Sequence, residues 1–340
     1  MTEPAPVYTR REYIKGYYYG FFPIKPTFLP KDYPDLSGKT AIVTGSNSGI
    51  GFHTMRFLYE KNCNVISVVR SESKGEVAKD KIVKEFPDSK GSITTVSGCD
   101  FLDLANVKPV GLKIKEILKG KPLNIIIHNA GIMPLINTET SKQGIEAIFQ
   151  VNVMGPQLLQ SFLDPLFLKK DDPLKRIVWV ASGAHLSGFP EYGIHWEDPG
   201  FEKTPVAERP PAFTLYGQTK AANVLQAHAW ATVNKKLVED VGCVSVSVYP
   251  GNLKTNLESV QKNNWIMRTI INKFCYDGEH GAYTELYAAL SPKLTVKDQG
   301  AYVVPYGDVR EPRSDVAMAM KNGSDVKLWN IVEEKNAPYK

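Results

Sequence analysis

Long apolar runs are missing from these 340 residues: no stretch approaches ~18 uninterrupted apolar positions, so no membrane-spanning helix is expected. Cysteine is scarce. Cys63, Cys99, Cys243 and Cys275 lie far apart, with no CxxC pair and no interleaved histidine. That spacing argues against a disulfide frame and a zinc site; it suits buried thiols in a reducing compartment, here read as the cytoplasm. Clustered charge is absent too. Lysine and arginine number 41 against 36 acids, and the resulting +5 is spread thinly, so no nucleic-acid partner is expected. The N-terminus lacks the charged-then-apolar layout of a signal peptide, and the last three residues match no address signal. What remains is ordinary globular material: 43% apolar and 23% charged residues, in a length suited to one large domain or two small ones.

Proline is plentiful at one end. Residues 1–37 carry Pro4, Pro6, Pro23, Pro26, Pro30 and Pro34 around the run Tyr17-Tyr18-Tyr19-Gly20-Phe21-Phe22. Such a density predicts no continuous helix, but an arm that leans on something apolar. Its own domain or a sister subunit in a homo-oligomer, a membrane surface, and the mouth of an active site are the candidate supports.

From Lys39 the chain alternates between short β-branched runs and longer helical patterns. The runs predict strands over Thr40–Val43, Val65–Val69, Ile93–Val96, Asn124–Ile127, Arg176–Val180, Val244–Val248 and Ala301–Val304. Helical spacing covers Gly49–Glu60, Val107–Leu118, Ile145–Leu168 and Ala221–Val238. Apolar strands without alternation are buried on both faces, which requires parallel pairing through crossover helices. The expected fold is a single doubly wound α/β domain of the Rossmann type, with about seven strands and helices on both faces. It spans residues 38–310, with insertions near 183–215 and 252–280, and a helical segment follows at 311–340.

Directly after the first strand comes Thr44-Gly45-Ser46-Asn47-Ser48-Gly49-Ile50-Gly51. Glycines here permit a tight turn, an approach of phosphate to the backbone, and close packing of the next helix, whose N-terminus offers free N–H groups. The second strand is expected to end at Val69, where a preference for NAD would place an acid. Val69 is apolar and Arg70 follows, a residue suited to a 2′-phosphate. Asp100 is expected to close the third strand, either touching an adenine or capping the next helix.

Asn129-Ala130-Gly131 follows the fourth strand, Asn152 lies in the next helix, Ser182 ends the fifth strand, and Tyr216 and Lys220 share a helix face four residues apart. A phenol of pKa ~10 is a poor acid–base group at neutral pH, and a neighbouring ammonium favours its phenolate. Each feature is common alone; their order along successive strand ends is not.

In this combination, with Pro250, Gly251 and Thr255 following the sixth strand, the chain resembles the short-chain dehydrogenase/reductase family from about Lys39 to Gly307. The segments Tyr216–Asn223 and Gly300–Pro305 give it the look of the retinol dehydrogenase, WW-domain oxidoreductase and fungal carbonyl reductase branch. The resemblance implies that Tyr216 protonates the carbonyl oxygen and that Lys220 lowers its pKa and binds the nicotinamide ribose. It further implies that Ser182 donates to the substrate oxygen and Asn152 holds a relay water. Gly45, Ser46, Asn47, Ser48, Gly49, Ile50, Gly51, Arg70, Asp100, Asn129, Ala130, Gly131, Tyr216, Lys220, Pro250, Gly251 and Thr255 would hold NADP(H), and no metal is implied. His128, Ala181 and Tyr249 depart from the family's usual residues without removing a catalytic group.

Phe189, Tyr192, Trp196, Phe201 and Phe213, with Trp265, Ile266, Met267, Ile270 and Ile271, fall in the two insertions after strand carboxyl ends. They predict either a roomy apolar pocket or simple packing of the inserts. The expected activity is NADP(H)-dependent reduction of a bulky or apolar ketone or aldehyde. A silent dinucleotide-binding sensor or scaffold is the alternative.

Overall fold

The β-branched runs form the centre of the molecule, in a computed structural model that describes residues 5–133, 140–253 and 275–340. In chain order the strands are β1 (Thr40–Thr44), β2 (Asn64–Val68), β3 (Ser92–Val96), β4 (Ile125–His128), β5 (Arg176–Val180), β6 (Val244–Val248), β7 (Tyr302–Val304) and β8 (Asp308–Arg310). They lie in the order β3-β2-β1-β4-β5-β6-β7-β8. All pairs are parallel except β7 with β8. The sheet therefore has eight strands among the described residues, one more than expected. The extra strand is a three-residue edge, Asp308-Val309-Arg310, turned back at Gly307 (φ +97°), and it is too short to carry a readable pattern.

Each face of the sheet carries its own core. On one side α2 (Gly49–Glu60), α3 (Glu72–Glu85) and α9 (Gly278–Leu290) cover Ala41, Val43, Ile125, Ile127, Val178 and Val246. On the other, α4 (Val107–Leu118), α6 (Gly155–Phe167) and α7 (Ala212–Val233) cover Ile42, Ile66, Ile126, Ile177 and Trp179. A short α8 (Lys235–Val241) leads into β6. The C-terminal segment forms two helices, α10 (Ser314–Asn322) and α11 (Ser324–Asn336), whose Leu328, Trp329 and Val332 join the second core.

Three expectations need correction. The arm does contain a helix, α1 (Arg10–Phe21), in the proline-free window between Pro6 and Pro23. A capping box starts it: Thr9 Oγ1 accepts from the Glu12 N–H, and Glu12 Oε2 accepts from the Thr9 N–H. The helix packs on its own domain, where Tyr8 Oη donates to Leu186 O (2.7 Å) and Tyr17 shares a hydrogen bond with Ser187 (3.0 Å).

The second correction concerns Ile145–Leu168, which is not one regular helix. A short turn, α5 (Ala147–Phe149), runs into a π turn at Gln150–Met154 before α6 begins. Pro156 supplies the reason. It has no N–H to give the carbonyl of Asn152 four residues back, so the regular ladder cannot continue there.

The third is α7, which begins nine residues earlier than its periodicity suggests, directly after Pro210-Pro211. It is buried around most of its circumference and so has little amphipathic pattern to read.

Candidate active site

The carboxyl ends of β1, β2, β4, β5 and β6 meet at one edge of the sheet, where the strand order reverses between β1 and β4. Gly45 follows β1 with φ +68°, and its N–H bonds to Val68 O at the end of β2 (2.8 Å). Gly51 is pressed against the next turn: a Cβ there would stand 2.4 Å from Asn129 Nδ2. Asn129 Nδ2 in turn donates to Thr44 O (2.7 Å), and the Ala130 N–H donates to Thr44 Oγ1 (2.9 Å). The glycine turn and the Asn129-Ala130-Gly131 turn are thereby bolted together.

Between them the start of α2 stays open. Ser48, at its N-cap, makes no capping bond through its side chain, and a Cβ on Gly49 (φ +58°) would meet nothing within 4 Å. Backbone N–H groups at a helix start with open space before them fit the phosphates of a dinucleotide.

β2 ends one residue before expected, at Val68, and Val69 is buried beside Gly75. Arg70 is exposed at the same edge, and its side chain has no acidic partner among the described residues. β3 ends at Val96, so Asp100 stands four residues beyond the strand; its Oδ1 accepts from the Leu102 N–H (3.1 Å), which fixes the turn. Ser46 is buried and bonded to Ser67 (2.7 Å), while Asn47, Ser48 and Ile50 lie along the turn. Pro250 and Gly251 (φ +108°) follow β6, with a Cβ on Gly251 only 3.2 Å from Pro305. Thr255 lies outside the described residues.

The chemical groups gather beside the Asn129-Ala130-Gly131 turn. The Ser182 hydroxyl faces the Tyr216 phenol closely enough to lower its pKa. Ser182 Oγ also accepts from the Ala184 N–H (3.1 Å). Lys220 Nζ lies 5.5 Å from the Tyr216 ring centre. It donates to Val180 O (2.8 Å) and to Asn223 Oδ1 (3.2 Å). Asn152 Oδ1 accepts from the Ile132 N–H (2.8 Å), and its Nδ2 donates to Ile132 O (3.0 Å) and Thr219 Oγ1 (3.1 Å). A Cβ on Gly131 would come within 3.1 Å of Asn152 Oδ1 and 3.7 Å of Lys220 Nζ. Ser182, Tyr216, Lys220 and Asn152 therefore form one constellation.

Burial dominates its electrostatics. It pushes the Tyr216 phenol up to about 12, partly opposed by the Ser182 hydroxyl. It pulls Lys220 down to about 7, partly opposed by the Glu285 carboxylate. Moving a lysine from its ordinary value near 10.5 to about 7 corresponds to about 5 kcal/mol against the ammonium. Hydrogen bonds to a charged group contribute about 1.5–3 kcal/mol each, so the two acceptors on Lys220 are of a size to matter. In the protein alone the phenol stays neutral, the form a proton donor needs.

Sequence reasoning overlooked Asn223, Thr219 and Glu285. Glu285 is fully buried on α9, accepts from Thr54 Oγ1 (2.6 Å), and is pushed up to about 8 by burial. Asn223 had a legible signal, an amide one turn beyond Lys220 on a helix too apolar overall to face solvent.

His128 and Tyr249 are structural. His128 is buried, stacks on Trp179 (4.5 Å between ring centres) and pairs with Gln160 (2.8 Å). Burial pulls its pKa down to about 4. Between about pH 6.5 and 4 the unfolded chain binds a proton that the folded histidine refuses, so this residue costs about 1.4 kcal/mol per pH unit as pH falls. His128→Asn is therefore expected to gain on the wild type by that slope as the medium is acidified through this window. Urea denaturation of both proteins at several pH values measures it, and a pH-independent difference would contradict the assignment. Tyr249 is buried against Gly183, with its hydroxyl bonded to Asn252 Oδ1 (2.5 Å).

The aromatic insert packs more than it lines. Phe201 is buried, Phe189 and His195 stack around it, and Tyr192 meets Trp196 edge to face. Arg313, itself buried, ties the insert down through Gly188 O (3.0 Å) and Phe189 O (2.5 Å). Only Phe213 of the five stays half exposed. Trp265, Ile266, Met267, Ile270 and Ile271 lie outside the described residues.

Residues 39–194 match the family model for short chain dehydrogenase. A short-chain dehydrogenase/reductase (bet4) of Neocamarosporium betae is 34% identical over 329 residues, covering 92% of this chain and 91% of that protein. The chain belongs to the short-chain dehydrogenase/reductase family. A second relative, from Phomopsis amygdali, is 31% identical over 96% of this chain and 98% of its own length. Among solved structures, an uncharacterized protein from Mycobacterium paratuberculosis superposes with a TM-score of 0.67 at 25% identity, covering 91% of this chain and 97% of that one. L-sorbose reductase from Gluconobacter frateurii shares the fold, with a TM-score of 0.62 at 18% identity over 82% of this chain and 98% of that one. A member of this family is an oxidoreductase that binds a nicotinamide cofactor.

Proposed function

We propose that the chain is an NADP(H)-dependent reductase that converts the carbonyl of a bulky or apolar ketone or aldehyde to the alcohol, reversibly. The observation that carries this reading is the grouping of the Ser182 hydroxyl, the Tyr216 phenol and Lys220, 5.5 Å from the tyrosine ring centre, at the edge that holds the glycine turn. The cofactor, when bound, supplies a hydride to the carbonyl carbon. Gly45 to Gly51, Asn129 to Gly131, Asp100, Pro250, Gly251 and Thr255 would hold it, with Arg70 at its ribose.

The protein's own part is positioning and proton transfer. Ser182 donates to the substrate oxygen and orients it toward Tyr216. The neutral Tyr216 phenol passes its proton to that oxygen as negative charge develops there. The Lys220 ammonium, held against Val180 O, stabilises the phenolate left behind. Ile132 packs with Tyr216 against a small apolar cluster of Ile148, Phe201 and Leu215, and the adjacent Met133 is partly exposed. That surface supports an apolar substrate.

The test is a panel of bulky ketones, aldehydes and alcohols, followed by cofactor absorbance with NADPH and with NADH. Turnover of one or more ketones or aldehydes supports the reductase. Cofactor binding by fluorescence with no turnover of any compound would instead favour a binding-only sensor, against which the complete constellation argues.

A further inference from the structure

A line of buried side-chain amides runs away from the active site along one face of α7. Asn223 and Gln226 follow Lys220 at three-residue intervals, each step shifting the side chain by about 60° around the helix, so consecutive members lie side by side. Asn223 Oδ1 accepts from Lys220 Nζ (3.2 Å), while its Nδ2 donates to Asn152 O (2.8 Å) and to Gln226 Oε1 (3.0 Å). Gln226 Nε2 donates to Val153 O (3.0 Å) and to Gln157 Oε1 (3.0 Å). Gln157 Nε2 reaches Trp329 O and Glu333 Oε1, both at 3.0 Å, on α11.

The orientation of every amide is fixed by the ends of the line. An ammonium only donates and a carbonyl or carboxylate only accepts, so a flipped Asn223 would set its NH₂ against the ammonium. At the end of the π turn the carbonyls of Asn152, Val153 and Met154 each accept from a different side-chain amide: Asn223, Gln226 and Asn336.

We propose that Asn223 is a positioning residue of the active site, whose amide clamps the Lys220 ammonium to the Asn152 carbonyl. Two of the three ammonium N–H bonds are thereby committed, to Val180 O and to Asn223, and the third is left for the side of Gly131 and Tyr216. The amide oxygen also stabilises the charged form in a site where burial opposes it. The ionisable groups facing Lys220 among the described residues are Tyr216 on its own helix and Glu285 from α9, with Tyr249 after β6 facing Tyr216. None of these changes when Asn223 is replaced. The role of Asn223 in turnover rests on the reaction proposed above; its hold on Lys220 does not.

Two readouts keep these apart. In the ligand-free protein, ¹³C-lysine NMR follows the titration of Lys220, its signal assigned by loss in Lys220→Met. Asn223→Leu removes the acceptor and is expected to move the lysine titration down by about one pH unit or more, while Asn223→Asp moves it up. Asn223→Ser, which keeps a small hydroxyl acceptor, should fall between Leu and wild type and stands in if Leu does not fold. In steady-state reduction the ammonium is the active form, so activity falls as pH rises through its titration. That falling limb should move to lower pH in the Leu variant and to higher pH in the Asp variant. At pH 7.5 the Leu variant should lose about 10-fold in kcat with KM within about threefold. An unmoved lysine titration in Leu, Asp and Ser alike overturns the proposal. A moved titration with an unmoved pH–rate limb overturns the part of Asn223 and Lys220 in the reaction while leaving the clamp in place.

Discussion

Replacing Tyr216 by Phe is expected to cost turnover on the order of 10²-fold or more, the usual contribution of a lost acid–base group, with cofactor affinity nearly intact. The substitution removes one oxygen. The ring keeps its packing beside Ile132 and Leu215, and Lys220 keeps its bonds to Val180 O and Asn223. Ser182 keeps its bond from Ala184, so the start of the following turn holds its place. What disappears is the only proton in this constellation whose group sits beside both a hydroxyl and an ammonium. Since the phenol is pushed up to about 12, no neutral-pH titration of the tyrosine itself should show in the wild-type rate. Steady-state kinetics with a good ketone, paired with cofactor titration by fluorescence, measures both quantities. Retention of more than a third of wild-type turnover, with chemistry shown to be rate-limiting, would place the proton donor elsewhere.

The strands and the crossovers were readable because burial on both faces leaves one pattern only, a short unbroken β-branched run. β5, β6, α2 and α4 begin and end where that pattern does. The order of site residues was readable because each sits one turn past a strand end or on the helix behind it. Features set by a single backbone defect were harder to see. Pro156 breaks the helix at Asn152, but periodicity averages over it and reports a continuous helix. α1 escaped because proline counted over residues 1–37 hides the window from Val7 to Phe22 that contains none. Glu285, the buried acid facing Lys220, comes from α9 on the other face of the sheet, and no sequence spacing relates it to Tyr216.

NADPH should be preferred over NADH by at least ~10-fold in kcat/KM, and two neighbouring positions carry that expectation. Val69 places a buried methyl surface where free ribose hydroxyls would need a carboxylate, which removes the usual gain for NAD. The same absence spares a 2′-phosphate the repulsion a carboxylate would exert. Arg70 then stands exposed at the open end of the glycine turn, close by the Gly45–Val68 backbone bond, with no acidic partner among the described residues. Its planar fork is permanently charged and matches phosphate oxygens. One hydrogen bond to a charged group contributes about 1.5–3 kcal/mol, about 10- to 150-fold in affinity. Arg70→Ala is therefore expected to erase most of the preference by weakening NADPH alone, leaving NADH kinetics near wild type. Val69→Asp added to it should tilt the enzyme toward NADH, because the new carboxylate both accepts from the ribose and repels the phosphate. Glu72, in the first turn of α3, is the competing group: a carboxylate two residues beyond Arg70 that could serve the ribose hydroxyls of NADH if the loop bent toward the turn. Glu72→Gln separates the two cases, since it should leave the preference unchanged if Arg70 governs and should depress NADH use if Glu72 does. Equal use of both cofactors by the wild type, or unchanged NADPH kinetics in Arg70→Ala, would show that the end of β2 does not choose the cofactor.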